Sequence, residues 1–530
     1  MKIYYSNIFP SEVKQDSLIL LPDYYEKSSS ILWDDFGYKT TFRAFFLING
    51  HQVSLGYIKL LFKDIFNSHQ YIKEKFSNSN EMFDLSDIDK HNFISIGEDL
   101  DYYKIINSQF QKETKIKSYL KLINDVCFLS SRRDDFQGWA GFDESLLRDS
   151  SFNSILSKGL KTALGRYEEL SKFELKINQE NGHSLKIVFN KEFILPSRIN
   201  ILIGSNGNGK TRTLKYISDI YTGLTRKNDR WAYCNKLIVL SFSPFDQFFT
   251  ARELIRELNS ESGENQAKDL INGYSYIGFK DDISQFNLDS FTKRSVQSYI
   301  DAIYLDKTRH TRQDFQRVSL INETLHKAMR FDSIAFKDTE GIIIPIEHYN
   351  NSCNIDDTYG LVFLNQDGEE IRLSSGQKMY SLFVPSIISS IKLESLLLID
   401  EPELYLHPEL EVGLITMLKE ILTATNSFAV IATHSAIIAR EVQSDYVHIL
   451  EHNNKSRSPD IETLGNSLER ITADVFDDAT TNKPYQKQID KLLSTRYNND
   501  IDKAIEELSN ELGLKAISYL YSKKQKSKND

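Results

Sequence analysis

The sequence predicts an α/β fold with a mostly parallel central sheet, and three observations carry that reading. Residues 199–242 run apolar strand, glycine-rich loop, helix, apolar strand, in the order INILI, GSNGNGKT, TRTLKYISDIY, KLIVLSF. Further apolar runs at 395–399 (SLLLI), 427–432 (SFAVIA) and 446–450 (YVHIL) are spaced for one helix between strands. The glycine loop itself satisfies GxxxxGK[ST] and sits between strand and helix, where such a loop can work.

Taken in order, the elements begin with TFRAFFLI and VSLGYIKLL around Asn49-Gly50, a pair that favours a tight hairpin because both central positions take positive φ. From about Asp84 to Tyr167 the period becomes helical, with Tyr103, Ile106 and Phe110, then Ile116, Leu120 and Ile123, at three- and four-residue intervals. Strand runs FELKIN (173–178) and SLKIVF (184–189) precede the glycine loop. Residues 251–335 read as a helical, charge-rich block that interrupts the sheet. IIIPI (342–346) is strand-like, and Gln366-Asp367-Gly368 marks a hairpin. Residues 485–520 are helical, with Ile505, Leu508 and Leu512 on one face, and the lysine-rich tail KKQKSKND is expected to fray.

Composition narrows the classes. A chain of 530 residues is long enough for three or four structural units. With 40% hydrophobic and 26% charged residues it reads as globular, and its formal net charge of −10 excludes a generic basic nucleic-acid coat. Cys127, Cys234 and Cys353 are too far apart for a CxxC motif or a disulfide framework. No apolar run reaches the ~18 residues of a membrane span and the start lacks a signal-peptide pattern, so a soluble, cytoplasmic protein without a membrane partner is expected.

The chemistry concentrates in four places. In the glycine loop, Gly204, Ser205, Asn206, Gly207, Asn208 and Gly209 let backbone amides wrap phosphate oxygens, Lys210 neutralises the β- and γ-phosphates of ATP, Thr211 offers a hydroxyl to Mg²⁺, and Arg212 follows on the helix. An ordinary glycine turn is the bland alternative. SLLLIDEP ends an apolar strand in Asp400 and Glu401; two carboxylates there need a cation, which Mg²⁺ bound to ATP supplies, Asp400 orienting the ion and Glu401 polarising the attacking water. LSSGQ, with Ser374, Ser375, Gly376 and Gln377, reads alone as a helix N-cap, though the same geometry aims hydroxyls and amides at an anion. His434 ends the next apolar strand, 34 residues after Asp400.

In this order and spacing the four motifs resemble those of the ATP-binding cassette (ABC) ATPases, from about residue 173 to 450. The resemblance implies a P-loop NTPase head that dimerises face to face, each ATP held by Lys210 and Thr211 of one copy and by Ser374, Ser375 and Gly376 of the other, with His434 at the γ-phosphate. It also implies a glutamine linking Mg²⁺ to the insertion, for which Gln247 in SFSPFDQF is the candidate and Asp246 the alternative. On that reading the chain divides into an N-terminal accessory region (1–172), an ATPase N-lobe (173–253), a helical insertion (254–335), an ATPase C-lobe (336–475) and a C-terminal helical region (476–530).

Where transporter cassettes continue EPTSALD, this chain reads EPELYLHP, which looks like the chromosome-maintenance, RecF-like and OLD-like branch. WDDFGYKTTFRAFFL, SFSPFD and ETLGNSLERITADVF are similar to the PtuA-type ATPases of Septu and some retron systems. That resemblance implies an ATP-dependent sensor or scaffold of anti-phage defence that gates a separate HNH nuclease of the PtuB type, with a reverse transcriptase and branched RNA-DNA as further partners. Two rivals stand beside it. An OLD-like nuclease would need a metal site such as Asp474, Asp477 and Asp478; a solvated helix end is the plainer reading of those residues. A RecF-like clamp would use Lys307, Arg309, His310, Arg312 and Arg317 on phosphates, against a solvated or protein-contacting face.

Overall fold

The computed structural model describes residues 1–10, 16–23, 38–48, 51–75, 82–85, 88–129, 135–136, 138–146, 150–178, 184–192, 198–225, 234–243, 245–262, 273–281, 285–308, 315–350, 352–451, 455–476 and 484–529. They form two compact units, Met1–Asn466 and Ser467–Asp530.

The first unit opens with β1 (Lys2–Ser6), β2 (Ser17–Pro22), β3 (Thr41–Ile48), β4 (His51–Phe62), α1 (Ser68–Lys75), β5 (Met82–Asp84), β6 (Phe93–Gly97), α2 (Leu100–Phe110), α3 (Glu113–Leu122) and α4 (Ser150–Ala163). The six strands make one sheet in the order β5-β1-β2-β3-β4-β6, all pairs antiparallel except β1 with β2. Only the β3–β4 pair was legible in the sequence. Its register sets Ile48 opposite His51; the intervening Asn49-Gly50 lies outside the described residues. Between Ala44 and Phe45 the register shifts, and Gly56 opposite takes φ +87°, a value a side chain resists. The helical period expected over 84–167 is real for α2, α3 and α4, but it begins only after β6, whose FISIG run is wholly buried. Tyr103, Ile106, Ile116, Leu120 and Ile123 all join the buried core beneath this sheet.

The head follows: β7 (Lys172–Asn178), β8 (Ser184–Asn190), β9 (Ile199–Ile203), α5 (Lys210–Thr222), β10 (Lys236–Ser241), α6 (Ala251–Ser262), β11 (Tyr274–Ile277), α7 (Leu288–Thr308), α8 (Arg317–Leu325), β12 (Ser333–Lys337), β13 (Ile343–Pro345), β14 (Val362–Leu364), α9 (Ser375–Ser390), β15 (Ser395–Asp400), α10 (Pro408–Ala424), β16 (Phe428–Thr433), α11 (Ala436–Arg440), β17 (Val447–Leu450) and β18 (Ser456–Arg457). Seven of these strands form the central sheet, β11-β10-β15-β16-β9-β17-β18, parallel throughout except at β18. Continuous apolar runs suit strands covered on both faces, and β9, β15 and β16 are buried along their whole length. The hairpin β7–β8 closes one side, stacking Phe173 on Phe189 at 4.6 Å with Phe428 edge-on at 4.7 Å from Phe173.

The block at 251–335 departs from its purely helical expectation. It contributes β11, which pairs in parallel with β10 and extends the sheet. Four residues of YSYI carry too little pattern to stand out from the helices around them. Arg317 also departs from expectation. It is 3% exposed, donates to the Ile391 carbonyl at 3.3 Å and lies 4.9 Å over the Phe315 ring, so it belongs to the interior and not to a phosphate-facing patch. Arg309, His310 and Arg312 lie outside the described residues.

The second unit holds α12 (Leu468–Phe476), α13 (Pro484–Thr495), α14 (Ile501–Leu508) and α15 (Leu514–Asn529), around a small core of Ile489, Leu493, Tyr497, Ala504 and Leu520. The region expected as helical is thus several helices broken by turns, and α15 carries the lysine-rich tail in helix to Asn529. Asp477 and Asp478 lie outside the described residues. Among the described residues no helix is long and apolar enough to cross a membrane.

Candidate functional site

Strand order builds the site. β16 lies between β9 and β15, so the segments leaving their carboxyl ends, the glycine loop, Asp400-Glu401 and His434, converge at one edge of the sheet. Open parallel sheets bind ligands at that edge.

The loop from Gly204 to Gly209 depends on glycine. Gly207 and Gly209 both take φ +83°, and a Cβ on Gly204 would stand 2.5 Å from the Leu450 carbonyl oxygen. Asn208 Nδ2 donates to that same carbonyl at 2.6 Å and pins the loop to β17. Gly209 caps α5, whose first residues are Lys210 and Thr211, so the helix start faces the space the loop encloses. Ser205, Asn206 and Arg212 are at least partly exposed around it.

Lys210 Nζ donates to the carbonyls of Gly204 at 2.9 Å and Ser205 at 3.1 Å and lies 3.3 Å from His434 Nδ1. Burial lowers its pKa to about 8, against the opposing pull of Glu401, Asp400 and Glu403. A lysine ammonium only donates, so His434 Nδ1 accepts, and the ring proton sits on Nε2. That nitrogen is 3.3 Å from Glu401 Oε1, so one imidazole links the loop lysine to the second carboxylate.

Asp400 accepts from Thr211 Oγ1 at 3.0 Å on each oxygen. Burial pushes its carboxyl up to about 7 despite that bond and despite Lys210, with Glu401 and Asp246 adding repulsion. Glu401 adopts φ 50°, ψ 52°, a left-handed backbone uncommon for a residue with a side chain, and its amide donates to the Ala432 carbonyl at 2.9 Å. The turn swings its carboxylate out of the sheet line towards His434.

A hydroxyl and a carboxylate side by side are hard oxygen donors, and Asp400, Glu401 and Glu403 outnumber Lys210. This set fits Mg²⁺, which takes one or two protein oxygens and completes its shell from phosphates and water. Thr211 and Asp400 are the residues that would hold it.

The structure also gathers residues that the motif reading missed. Glu403, in the turn Pro402–Tyr405, accepts from the His434 backbone amide, and burial raises its carboxyl. Glu411 on α10 accepts from the Ser435 hydroxyl. A third carboxylate two residues beyond Glu401 was the available signal for Glu403; nothing local signalled Glu411. Asp246 is buried, paired with Lys280 at 3.0 Å and bonded to the Tyr276 hydroxyl at 2.6 Å, whereas the neighbouring Gln247 is exposed. Of the two, Asp246 is the one whose charge acts on Asp400.

LSSGQ stands apart from this cluster. Ser374 caps α9 and Gln377 reciprocates, its Oε1 accepting from the Ser374 amide at 3.0 Å while Ser374 Oγ accepts from the Gln377 amide at 3.3 Å. Ser374 and Ser375 are exposed. Gly376 is buried, and a Cβ there would stand 2.3 Å from Leu410 Cδ1, so a side chain at this position would have to displace that of Leu410.

Residues 243–440, which hold the signature, both carboxylates and His434 but begin after the glycine loop, match the family model described as "AAA domain, putative AbiEii toxin, Type IV TA system". That segment of the chain is similar to an ATPase domain of the AAA type. Along nearly its whole length it is also similar to protein ea59 of Escherichia phage lambda, 26% identical over 533 residues, covering 93% of this chain and 94% of that one. Solved structures similar to it include cbiO1 of Clostridium perfringens, part of an ABC transporter complex, at 13% identity, TM-score 0.25, and coverage of 62% of this chain and 97% of that one. Another is the ADP conformation of an ATP-binding cassette of an ABC transporter, at 14% identity, TM-score 0.24, and coverage of 58% and 94%. Scores this low add nothing to the fold read from the strand order itself.

The raised Asp400 pKa has a consequence for stability. From its ordinary value of 3.8, the carboxyl rises to about 7 in the folded chain, so the native state holds this proton more tightly than the unfolded one. Its contribution to stability therefore falls as pH rises from about 4 to about 7, and stays low above. Asp400→Asn removes the charge and keeps an acceptor for Thr211. Without nucleotide, the variant is expected to be more stable than the parent by on the order of 4 kcal/mol at pH 8 and by less than half of that at pH 5. Thermal unfolding at the two pH values checks this; a pH-independent difference would remove burial of the charge as the cause.

Proposed function

We propose that the chain is an ATP-driven switch: two heads close over Mg²⁺-ATP, hydrolysis opens them, and the cycle gates a separate nuclease in bacterial anti-phage defence. The observation that carries the ATPase part is the linked set Thr211–Asp400 and Lys210–His434–Glu401 at one sheet edge. Lys210 donates to two carbonyls of its own loop; a triphosphate in the loop would take their place, with the loop amides and helix start facing its oxygens. Thr211 and Asp400 would hold Mg²⁺, which when bound would supply charge neutralisation at the phosphates. Glu401 accepts the hydrogen bond of the attacking water, and His434, donating from Nε2, orients that carboxylate. The exposed Ser374 and Ser375 of a second copy close the site from the other side.

The gating part rests on the PtuA-type resemblance of the flanks, on the toxin–antitoxin description of the matching family and on a full-length relative encoded by a phage. These favour a control device over a transport motor. The buried Arg317 weakens the basic patch that a DNA clamp would use. Glu401→Gln protein, purified from its native host in ATP and Mg²⁺, is expected to bring down a small HNH protein, with or without branched RNA-DNA. Recovery of bare duplex DNA and no nuclease would replace the gate by a repair clamp.

A further inference from the structure

His434 stands one residue past the end of its strand. β16 pairs with β15 as far as Ala432 opposite Asp400, and with β9 as far as Thr433 opposite Ile203, so the His434 amide lies beyond both ladders. The chain leaving β15 turns away at this level, because Glu401 quits the sheet line at φ 50°. The Glu401 amide makes the last main-chain bond, to the Ala432 carbonyl at 2.9 Å. Two residues later the side chain of Glu403 reaches back, and its Oε1 accepts from the His434 amide where a strand carbonyl would otherwise stand. The turn Pro402–Tyr405 is thus tied to the end of β16 on either side of Thr433, once through main chain and once through a carboxylate.

The next residue has its own anchor. Ser435 donates its amide to Thr433 Oγ1 at 2.9 Å and its hydroxyl to Glu411, and the same hydroxyl oxygen accepts from the amides of Ile437 at 3.1 Å and Ile438 at 3.3 Å, capping α11. None of these bonds involves Glu403, so the segment after β16 keeps its course without it. What Glu403 adds is a fixed position for His434. It does so at a cost, since the side chain is half-buried and its Oε2 has no hydrogen-bond partner among the described residues. Departures of this kind gather at functional sites.

We propose that Glu403 is a positioning residue of the nucleotide site: its carboxyl oxygen fixes the His434 main chain where the imidazole spans Lys210 Nζ and Glu401 Oε1, at 3.3 Å each. Both contacts stand at the long end of the hydrogen-bond range, so a small displacement of the ring breaks them. The role rests on the reading of Glu401 as the group that acts on water. It requires an acceptor at Oε1 and not the negative charge, which separates it from a direct pull of Glu403 on Lys210.

The test uses full-length Glu403→Ala and Glu403→Gln proteins, each alone and combined with His434→Ala. In ATP turnover Glu403→Ala is expected to lower kcat about tenfold and to leave KM within about threefold, since the loop, Lys210 and Thr211 are untouched. Glu403→Gln keeps the acceptor and should hold kcat within about threefold of the parent. With His434→Ala already present, Glu403→Ala should cost nothing further, because the ring it places is gone. A second readout is independent of turnover. In histidine-labelled protein, nitrogen NMR signals of the His434 ring, assigned by their loss in His434→Ala, should report the Nε2–H tautomer in the parent and in Glu403→Gln, and should shift in Glu403→Ala. A Gln variant as slow as the Ala variant, equal losses with and without His434, or ring signals unmoved by Glu403→Ala would each overturn the proposal. A parent without ATP turnover would sink the ATPase reading instead, and the ring signals would still decide whether Glu403 places His434.

Discussion

Glu401→Gln is expected to keep ATP binding and to slow phosphate release by about 10²–10⁴-fold, the range for removal of a positioned general base. The substitution is nearly isosteric, so the left-handed turn at φ 50° and the amide bond to Ala432 remain, and the Gln carbonyl still accepts from His434 Nε2. What is lost is the negative charge beside the water. Binding rests on other groups, the loop amides, Lys210 and Thr211, so affinity should change little. A species that binds but does not turn over should accumulate as a closed dimer in ATP and Mg²⁺. Single-turnover phosphate release and light scattering read the two effects separately. Hydrolysis at the parent rate would remove Glu401 from its role, and slow hydrolysis without a dimer would sever the composite site from the chemistry.

Lys210→Ala should act one step earlier, by abolishing useful nucleotide affinity. Lys210 faces Glu401, Asp400 and Glu403, and its ammonium is lowered only to about 8, so it remains largely charged at neutral pH. Without it the triphosphate would meet three carboxylates and lose the lysine set against them. Charge-assisted hydrogen bonds are worth about 1.5–3 kcal/mol each. Losing the one or two that Lys210 makes predicts a Kd for ATP raised roughly 10²–10³-fold by titration calorimetry in Mg²⁺. A Kd within about threefold of the parent would mean that the loop amides alone carry the phosphates. Together the variants separate binding from turnover, since Glu401→Gln protein should be loaded and static and Lys210→Ala protein empty.

Much of this site was legible because its parts are locally encoded. A glycine at φ +83° followed by a helix, and an apolar strand ending in Asp-Glu, declare their conformations within a dozen residues. Glu403 and Asp246 were harder to assign. Each acts through a partner far along the chain, Glu403 through the His434 amide and Asp246 through Lys280 and Tyr276. The six-stranded N-terminal sheet was visible only at β3 and β4, where two long strands meet at a tight turn; β1, β2, β5 and β6 are short runs whose strand character comes from their neighbours.

By itself the sequence determined that a glycine loop, a carboxylate pair, a signature turn and a histidine follow one another on an α/β frame, because backbone freedom and apolar periodicity are properties of adjacent residues. Only the tertiary structure decided what meets what. Inserting β16 between β9 and β15 places His434 between Lys210 and Glu401, and burial of Asp400 beside Thr211 lifts its pKa. The same folding leaves Asn426, at the other end of β16, with a buried Nδ2 that has no hydrogen-bond partner among the described residues. Strand order, desolvation and an unmet hydrogen bond depend on residues distant in the chain, and no local pattern records them.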